Sequence, residues 1–296
     1  MAMKIAIIGG CQVVGLAEAS RRFLPGAEVS TWHVGVHPAD TPDELLEKLQ
    51  GFDLVISQIA DGNNKPLMMD SLRVNHRNAH FLPTFVFPGF HPDLAYLVHD
   101  GGIIVAPHTD FHSKIAVAAF LMGYDVKKTQ TLYNAMVCSE LGYFEAFGAA
   151  RAAAEINLDR HGYAADGLID HWLKTLGAFM YMSNHPHIVI LTTLLHQLYV
   201  RLGLIAADTA LPAGVPDNLG ESFCWPVYPA LAKRAGVEGS MTFKKGVWLV
   251  KRGESRDMAF IDYMGQCFEL YAATDRAKLE TPAVKETRAK LEALFG

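Results

Sequence analysis

The sequence predicts an α/β N-terminal subdomain built on a parallel sheet and embedded in a predominantly helical remainder. Three observations carry that expectation. Short, continuous apolar runs rich in β-branched residues (5–8 and 54–57) alternate with amphipathic stretches (13–23 and 42–49), which is the pattern of strands buried on both faces between helices. A glycine pair, Gly9 and Gly10, stands where the first run ends and the first helix begins. From about residue 127 the apolar spacing becomes helical over 129–158, 165–182 and 186–202. The boundary so read divides the chain into 1–125, the α/β subdomain with its Cys11 turn, and 126–296, the mainly helical part expected to close an active-site cleft.

Taken in order, residues 28–36 read as a second strand. Thr41, Pro42 and Glu44 give a helix its N-cap, its first-turn proline and its capping-box acid, and that helix runs to about residue 49. Residues 52–57 are a third strand, with Gln58 at its carboxyl end. A polar break at 61–64 and a short helix over 66–75 lead to a strand expected over 81–87, followed by a turn-rich loop at 88–93. In the second half, Pro186 stands at the first position of a helix that Asn184 or His185 can cap. Residues 211–220 are a Pro/Gly loop, 241–251 read as a hairpin turning at Lys245 and Gly246, and 262–273 and 282–294 are closing helices.

Half of the 296 residues are hydrophobic and the net charge is −5, a balance that argues against nucleic acid as the main partner. Four widely spaced cysteines (11, 138, 224 and 267) form no CxxC pair and suit a reducing compartment. The first strand begins at Lys4, too early for a secretory signal, and the most apolar later stretch, 188–207, carries His196, Gln197 and Arg201. The chain therefore reads as cytoplasmic, without a membrane span.

The chemistry-bearing stretch is the strand-to-helix turn. A thiol there, Cys11, meets the positive end of a helix dipole, which favours the thiolate, in the geometry of a nucleophile elbow of the SGNH type. Two plainer readings stand beside it: a small buried filler, or a phosphate-cradling turn. The dinucleotide fingerprint fits poorly because Gln12 occupies a close-approach glycine position, and a P-loop lacks its lysine because Leu16 stands there. A cysteine nucleophile needs a base and a group to orient it. His91 beside Asp93, and His112 beside Asp110, offer both, with a packed or surface loop histidine as the alternative for each. The pairs His33/His37, His76/His80 and His108/His112 have the i, i+4 spacing of metal ligands but fall in predicted loops or strands, so no metal is expected. Arg73, Arg77, Lys244 and Lys245 are the phosphate candidates, or simply a solvated face.

Several of these motifs occur together in a telling order: Gly9, Gly10, Cys11 and Gln12, then 53–58 (DLVISQ), 88–93 (PGFHPD), 110–113 (DFHS), 184–186 (NHP), and 226–229 (PVYP) followed by LAKRAG. In that succession, over most of the chain, the sequence resembles the WcbI-like capsular polysaccharide biosynthesis proteins. The resemblance implies coenzyme A binding, transfer of an acetyl group from acetyl-CoA to a sugar hydroxyl, and an α/β subdomain within a mostly helical protein. On that footing the thioester arrives at Cys11. Gly10, Gln12 and Gln58 supply oxyanion or ligand contacts, His91 or His112 (with Asp110) serves as base, and Asn184 and His185 approach across the cleft. One departure stands out: the family commonly has Gly-Asn-Cys-Gln, and Gly10 here replaces the Asn. A cysteine-based SGNH-like esterase or deacetylase, and a non-catalytic protein binding CoA or a nucleotide sugar, are the competing readings.

Overall fold

The computed structural model describes residues 2–34, 42–59, 69–99 and 102–296. The chain begins as expected, alternating strand and helix: β1 (Lys4–Gly9), α1 (Val13–Phe23), β2 (Glu28–His33), α2 (Pro42–Leu49), β3 (Leu54–Ser57), α3 (Met69–Asn75) and β4 (Ala79–Phe81). The four strands form one parallel sheet in the order β2-β1-β3-β4, with Ile5 opposite both Val29 and Leu54. β1 is central and is buried at every position after Lys4, which is why its apolar run is continuous rather than alternating. On one face Ala6, Ile8 and Val55 pack with Leu45 and Leu49 of α2 and with Met69 and Leu72 of α3. On the other face α1 covers β1 and packs in turn on the helix Ile188–Arg201. Gly15 permits that close approach: a Cβ there would lie 3.0 Å from Ile188 Cδ1 and 3.1 Å from Leu191 Cδ1.

The chain leaves β1 for β2 on one side and returns to β3 on the other. The order therefore reverses between β1 and β3, and a crevice opens beyond their carboxyl ends, the usual ligand position in such sheets. Gly9, Cys11 and Gln58 lie at that edge.

Contacts group the chain into two compact units, each made of three segments. One comprises Met1–Val86, Ala152–Trp172 and Asn184–Gly220; the other comprises Phe87–Arg151, Leu173–Ser183 and Glu221–Gly296. The sequence reading draws a single boundary near 125, whereas the parallel sheet already ends at Phe81 and residues 87–125 contribute to the second unit. That unit is helical with small antiparallel pairs: Leu94–Ala95 with His112–Ser113, Leu97–His99 with Gly102–Ile104, and Phe243–Lys244 with Asp257–Met258. Among the described residues no helix is long and apolar enough to cross a membrane.

Several expected elements are shorter or shifted, each for a local reason. The strand expected over 81–87 stops at Phe81; Pro83 lacks an N–H for a ladder, and the Phe85 peptide finds another partner, described below. The helical run over 129–158 is cut into Val126–Gln130, Ala135–Glu140 and Ala146–Arg160, the first two capped afresh by the Asp125 and Asn134 side chains. In 165–182 the helix Leu168–Leu176 ends at Gly177, whose φ of 69° suits glycine, and the chain continues as the strand Met180–Met182. The helix expected from Pro186 begins at Ile188, and its N-cap is His187, whose Nδ1 accepts from the Val189 N–H at 3.2 Å. The hairpin expected within 241–251 instead pairs across a longer loop, because the Lys245 N–H donates to Arg256 O at 2.8 Å. His37, the Thr41 cap, the break at 61–64 and the first residues of the 66–75 helix lie outside the described residues.

Replacing Gly15 with valine forces α1 away from the Ile188–Arg201 helix. The variant is expected to lose about 1–3 kcal/mol in urea unfolding, and an unchanged midpoint would show that the two helices do not pack as closely as described.

Candidate functional site

The site begins with a glycine that has no room for a side chain. A Cβ on Gly9 would lie 2.8 Å from Gln58 Oε1, 2.9 Å from Gln58 Cβ and 3.1 Å from Val13 Cγ1. The end of β3 and the start of α1 thus close tightly on the end of β1. Gly10, the glycine singled out from sequence, has nothing within 4 Å of its would-be Cβ, so a side chain there meets open space and the close approach belongs to Gly9.

Gln12 points inward and is fully buried. Its Nε2 donates to Phe85 O at 2.7 Å and to Asn184 O at 3.0 Å, and its Oε1 accepts from Phe85 N–H and from Gln58 Nε2, both at 3.1 Å. A primary amide has two N–H donors and two lone pairs, and all four are engaged. The paired bonds to Phe85 copy what a neighbouring strand would offer, so this side chain stands in for a β-ladder where β4 has ended. The expectation that Gln12 donates to a ligand is corrected on this ground: it positions the Phe85 and Asn184 main chains instead.

Cys11 sits one residue before the N-cap of α1, half-buried, with Sγ 3.8 Å from Asn184 O, a weak S–H···O contact. The Gln12 side chain does not cap α1, and no acidic residue lies in its first turn. The Val13 N–H donates to Gly10 O at 3.2 Å; the positive dipole end of the turn is left to whatever occupies the crevice. Two buried acceptors in this cluster, Gln58 Oε1 and Asn184 Oδ1, have no hydrogen-bond partner among the described residues. His185 follows Asn184; burial holds its imidazole down to about 4, so it is neutral at pH 7. Asn184 and His185 do not cap the following helix. What Asn184 brings to Cys11 and Gln12 is its main-chain carbonyl.

His91, His112 and Asp110 belong to the other unit. His91 is buried; its Nε2–H donates to Trp225 O at 3.0 Å, and its Nδ1 is an acceptor without a partner among the described residues. Burial lowers its pKa to about 4, partly opposed by the Trp225 bond. His112 has both nitrogens engaged: Nε2–H donates to Ile104 O at 2.8 Å and Nδ1 accepts from Tyr271 Oη at 3.1 Å. Its pKa is lowered by burial first, against the raising effects of the Ile104 bond and the Asp110 charge. Asp110 itself is exposed. Asp93 does not orient His91. Its Oδ1 accepts from the Ile115 N–H at 3.0 Å and from Tyr143 Oη at 3.1 Å, anchoring the start of the helix Lys114–Leu121, and burial raises its pKa.

Of the phosphate candidates, Arg73 and Arg77 are exposed on the unit that holds Cys11, whereas Lys244 and Lys245 lie in the other. The paired histidines are absorbed separately: His76 bonds Phe52 O and the Asn78 N–H, His80 bonds Asn78 Oδ1, and His108 bonds Gln266 Oε1. Among the described residues no group of three or more metal-binding side chains converges. The sequence reading missed Phe85 and the Asn184 carbonyl because both act through the main chain. The only signal was Pro83, which marks a strand that cannot continue.

A family model described as polysaccharide biosynthesis enzyme WcbI matches residues 4–206. No curated protein matches the sequence. Among solved structures, one reported as structural insights into WcbI, a novel polysaccharide biosynthesis enzyme, superposes with a TM-score of 0.70 over 98% of this chain and 99% of that one, at 15% identity. It is described as the native protein without a disulfide bond between coenzyme A and one of its cysteines. At that identity the likeness establishes the fold.

Two measurements test this geometry. Gln12→Leu leaves the Phe85 N–H and C=O, the Asn184 carbonyl and the Gln58 amide short of partners, and is expected to cost about 3 kcal/mol or more of stability; a loss below about 1 kcal/mol would mean the network is dispensable. For His91, the unfolded chain takes up a proton near the ordinary imidazole value of 6.5, while the folded chain holds it off until about 4. Stability is therefore lost as pH falls through that window, by up to about 3 kcal/mol. Asp93, with its raised pKa, works in the opposite sense, so the comparison is between the native chain and His91→Gln. The variant should show the shallower fall in melting temperature between pH 6.5 and 4.

Proposed function

This chain belongs to the WcbI family of polysaccharide biosynthesis enzymes, and from that premise we propose that it is an acyl-CoA-dependent O-acetyltransferase acting on a sugar or polysaccharide precursor. The observation that carries the reading is Cys11: a half-buried thiol at the start of α1, beyond the carboxyl ends of β1 and β3 where the strand order reverses. The structurally similar protein is described by the absence of a disulfide between coenzyme A and one of its cysteines; that the two are named together supports bringing a thioester to this thiol.

In this reading the acyl carbonyl enters at Cys11, and the N–H groups of the first turn of α1 receive the negative charge that develops on its oxygen. Gln58 Oε1 and Asn184 Oδ1, buried acceptors without donors, suit the amide N–H groups of a pantetheine arm. Arg73 and Arg77 are the proposed phosphate contacts, ahead of Lys244 and Lys245, because they share a unit with Cys11. The thiolate attacks the thioester, CoA leaves as its thiol, and the acyl group passes to a sugar hydroxyl whose proton goes to a histidine. Without an acyl-cysteine, the hydroxyl attacks the thioester directly and loses its proton to the same base. Of the two histidines named from sequence, His91 has an uncommitted lone pair at Nδ1, whereas both nitrogens of His112 are bonded. An acetyl-CoA donor accords with a cytoplasmic enzyme.

Cys11 should alkylate first with iodoacetamide. The other three thiols are buried, and burial pushes Cys138 up to about 11 and Cys267 up to about 12. Saturating CoA, at about 100 times its dissociation constant, should protect Cys11 and add about 2.7 kcal/mol of stability. Cys11→Ala should lower acetyl transfer roughly 100-fold or more if an acyl-cysteine forms, and much less for direct attack. Slower labelling at Cys11 than at the other cysteines, or no stabilisation by CoA, overturns the reading. Ester hydrolysis indifferent to CoA points to the cysteine esterase instead.

A further inference from the structure

The helical unit carries a groove outside the Cys11 region that includes Asp110 and His108. The groove, of about 330 Å³, is lined by Val105, His108, Asp110, Phe223, Trp248 and Leu249, among others, at the lower end of the roughly 300–1,000 Å³ of small-molecule sites. Its wall includes part of the single 3₁₀ turn Val247–Leu249, whose three consecutive apolar side chains are 40%, 69% and 47% exposed. Folded proteins rarely leave such a run in water without a use for it. Trp248 is not loosely splayed. Gly246 lies directly against its indole, and a Cβ there would come within 2.7 Å of Cζ2 and 2.8 Å of Cε2. The ring is thus seated on bare backbone, which fixes its plane while leaving most of its surface in solvent.

The polar groups of the groove are those of a hydroxyl-binding site. Asp110 is exposed and forms no hydrogen bond or ion pair among the described residues. His108 lies stacked on Phe223 with ring centroids 5.4 Å apart; its Nε2–H donates to Gln266 Oε1, while Nδ1 is buried without a partner among the described residues. The lining offers an aromatic plate and a carboxylate and includes no lysine or arginine, although the Lys245 charge reaches His108 and helps lower its pKa. A pyranose ring presents an apolar C–H face for the plate and hydroxyl donors for the Asp110 carboxylate, whereas a phosphate would meet like charge at Asp110 and would have to rely on Lys245 alone.

We propose that this groove is a carbohydrate subsite, with the Trp248 indole stacking on a pyranose face and the Asp110 carboxylate accepting from its hydroxyls. The proposal deepens the reading above by giving its sugar a binding surface, and rests on that reading only for the sugar's role as acceptor.

The test is calorimetric titration and saturation-transfer NMR with the methyl glycosides of glucose, galactose, mannose and N-acetylglucosamine and their disaccharides, alongside adenosine 3′,5′-bisphosphate. At least one glycoside should bind the native chain. Trp248→Ala should weaken it about tenfold or more, Trp248→Tyr should restore most of the affinity, and Asp110→Asn should weaken it about threefold or more. Thermal melts of the variants check that they remain folded. No glycoside binding up to about 20 mM, which is weaker than roughly −2.3 kcal/mol, overturns the proposal. So does binding unmoved by Trp248→Ala or by Asp110→Asn, and so does Trp248-dependent binding of the bisphosphate alone. CoA binding to the native chain is measured separately. Its failure with glycoside binding intact refutes acyl transfer and leaves the subsite standing.

Discussion

The side chain of Gln12 is the point on which the geometry around Cys11 depends. Burying a primary amide is unfavourable by several kcal/mol unless each of its donors and acceptors finds a partner. Here the partners are the Phe85 peptide on both its sides, the Asn184 carbonyl and the Gln58 amide. These lie far apart in sequence, so satisfying one side chain brings three segments of the unit to the end of β1. Gly9 is the complementary constraint: the network closes only because nothing larger than hydrogen stands between β1 and Gln58. An apolar residue at position 12 would fill space equally well, but it would leave Phe85 without a ladder and Asn184 without a reason to approach the thiol.

That arrangement separates two neighbouring residues by role. Gln12 faces inward with its hydrogen-bonding capacity complete, and the half-buried Cys11 makes a weak S–H···O contact to Asn184 O. The thiol is thereby held against a rigid wall while the start of α1 stays open. The contrast with the remaining cysteines is chemical as well as positional. Burial raises the pKa values of Cys138 and Cys267, the first helped by the Asp93 charge and the second opposed by hydrogen bonds with Tyr263 and Tyr271, so thiol chemistry at neutral pH concentrates where the fold leaves a sulfur accessible.

The other unit handles buried polarity differently. Asp93, Ser113, Tyr133, Tyr143 and Tyr228 sit together, with Lys114 the cation that acts on the carboxylate. Desolvation raises the Asp93 pKa, and hydrogen bonds from the Ile115 N–H and the Tyr143 hydroxyl stabilise its charged form. The carboxylate orders the start of a helix, as Ser113 does by accepting from the Ala116 N–H. A histidine two residues from an aspartate in sequence therefore need not be its hydrogen-bond partner. On an irregular turn, side chains two apart point where the main chain sends them, and His91 and Asp93 are sent to different partners.

The sequence alone determined the local architecture of the first half. The continuous apolar runs of β1 and β3, the glycine turn and the amphipathic α1 were legible because local periodicity and steric rules dictate them, and α1 runs over the residues that its spacing predicts. The ordered motifs likewise carried the family, since they preserve residue types at turns. Tertiary structure decided the rest. That Gln12 is a strut, that the strand after β4 fails at Phe85, that His112 is sealed by Ile104 and Tyr271, and that Asp110 shares a groove with Trp248 all depend on partners 8 to 172 residues away in the chain. No local pattern encodes those pairings, because hydrogen-bond satisfaction and burial are set by which segments meet in space, and side chains that read alike in sequence acquire opposite roles once one is enclosed and the other is left in water.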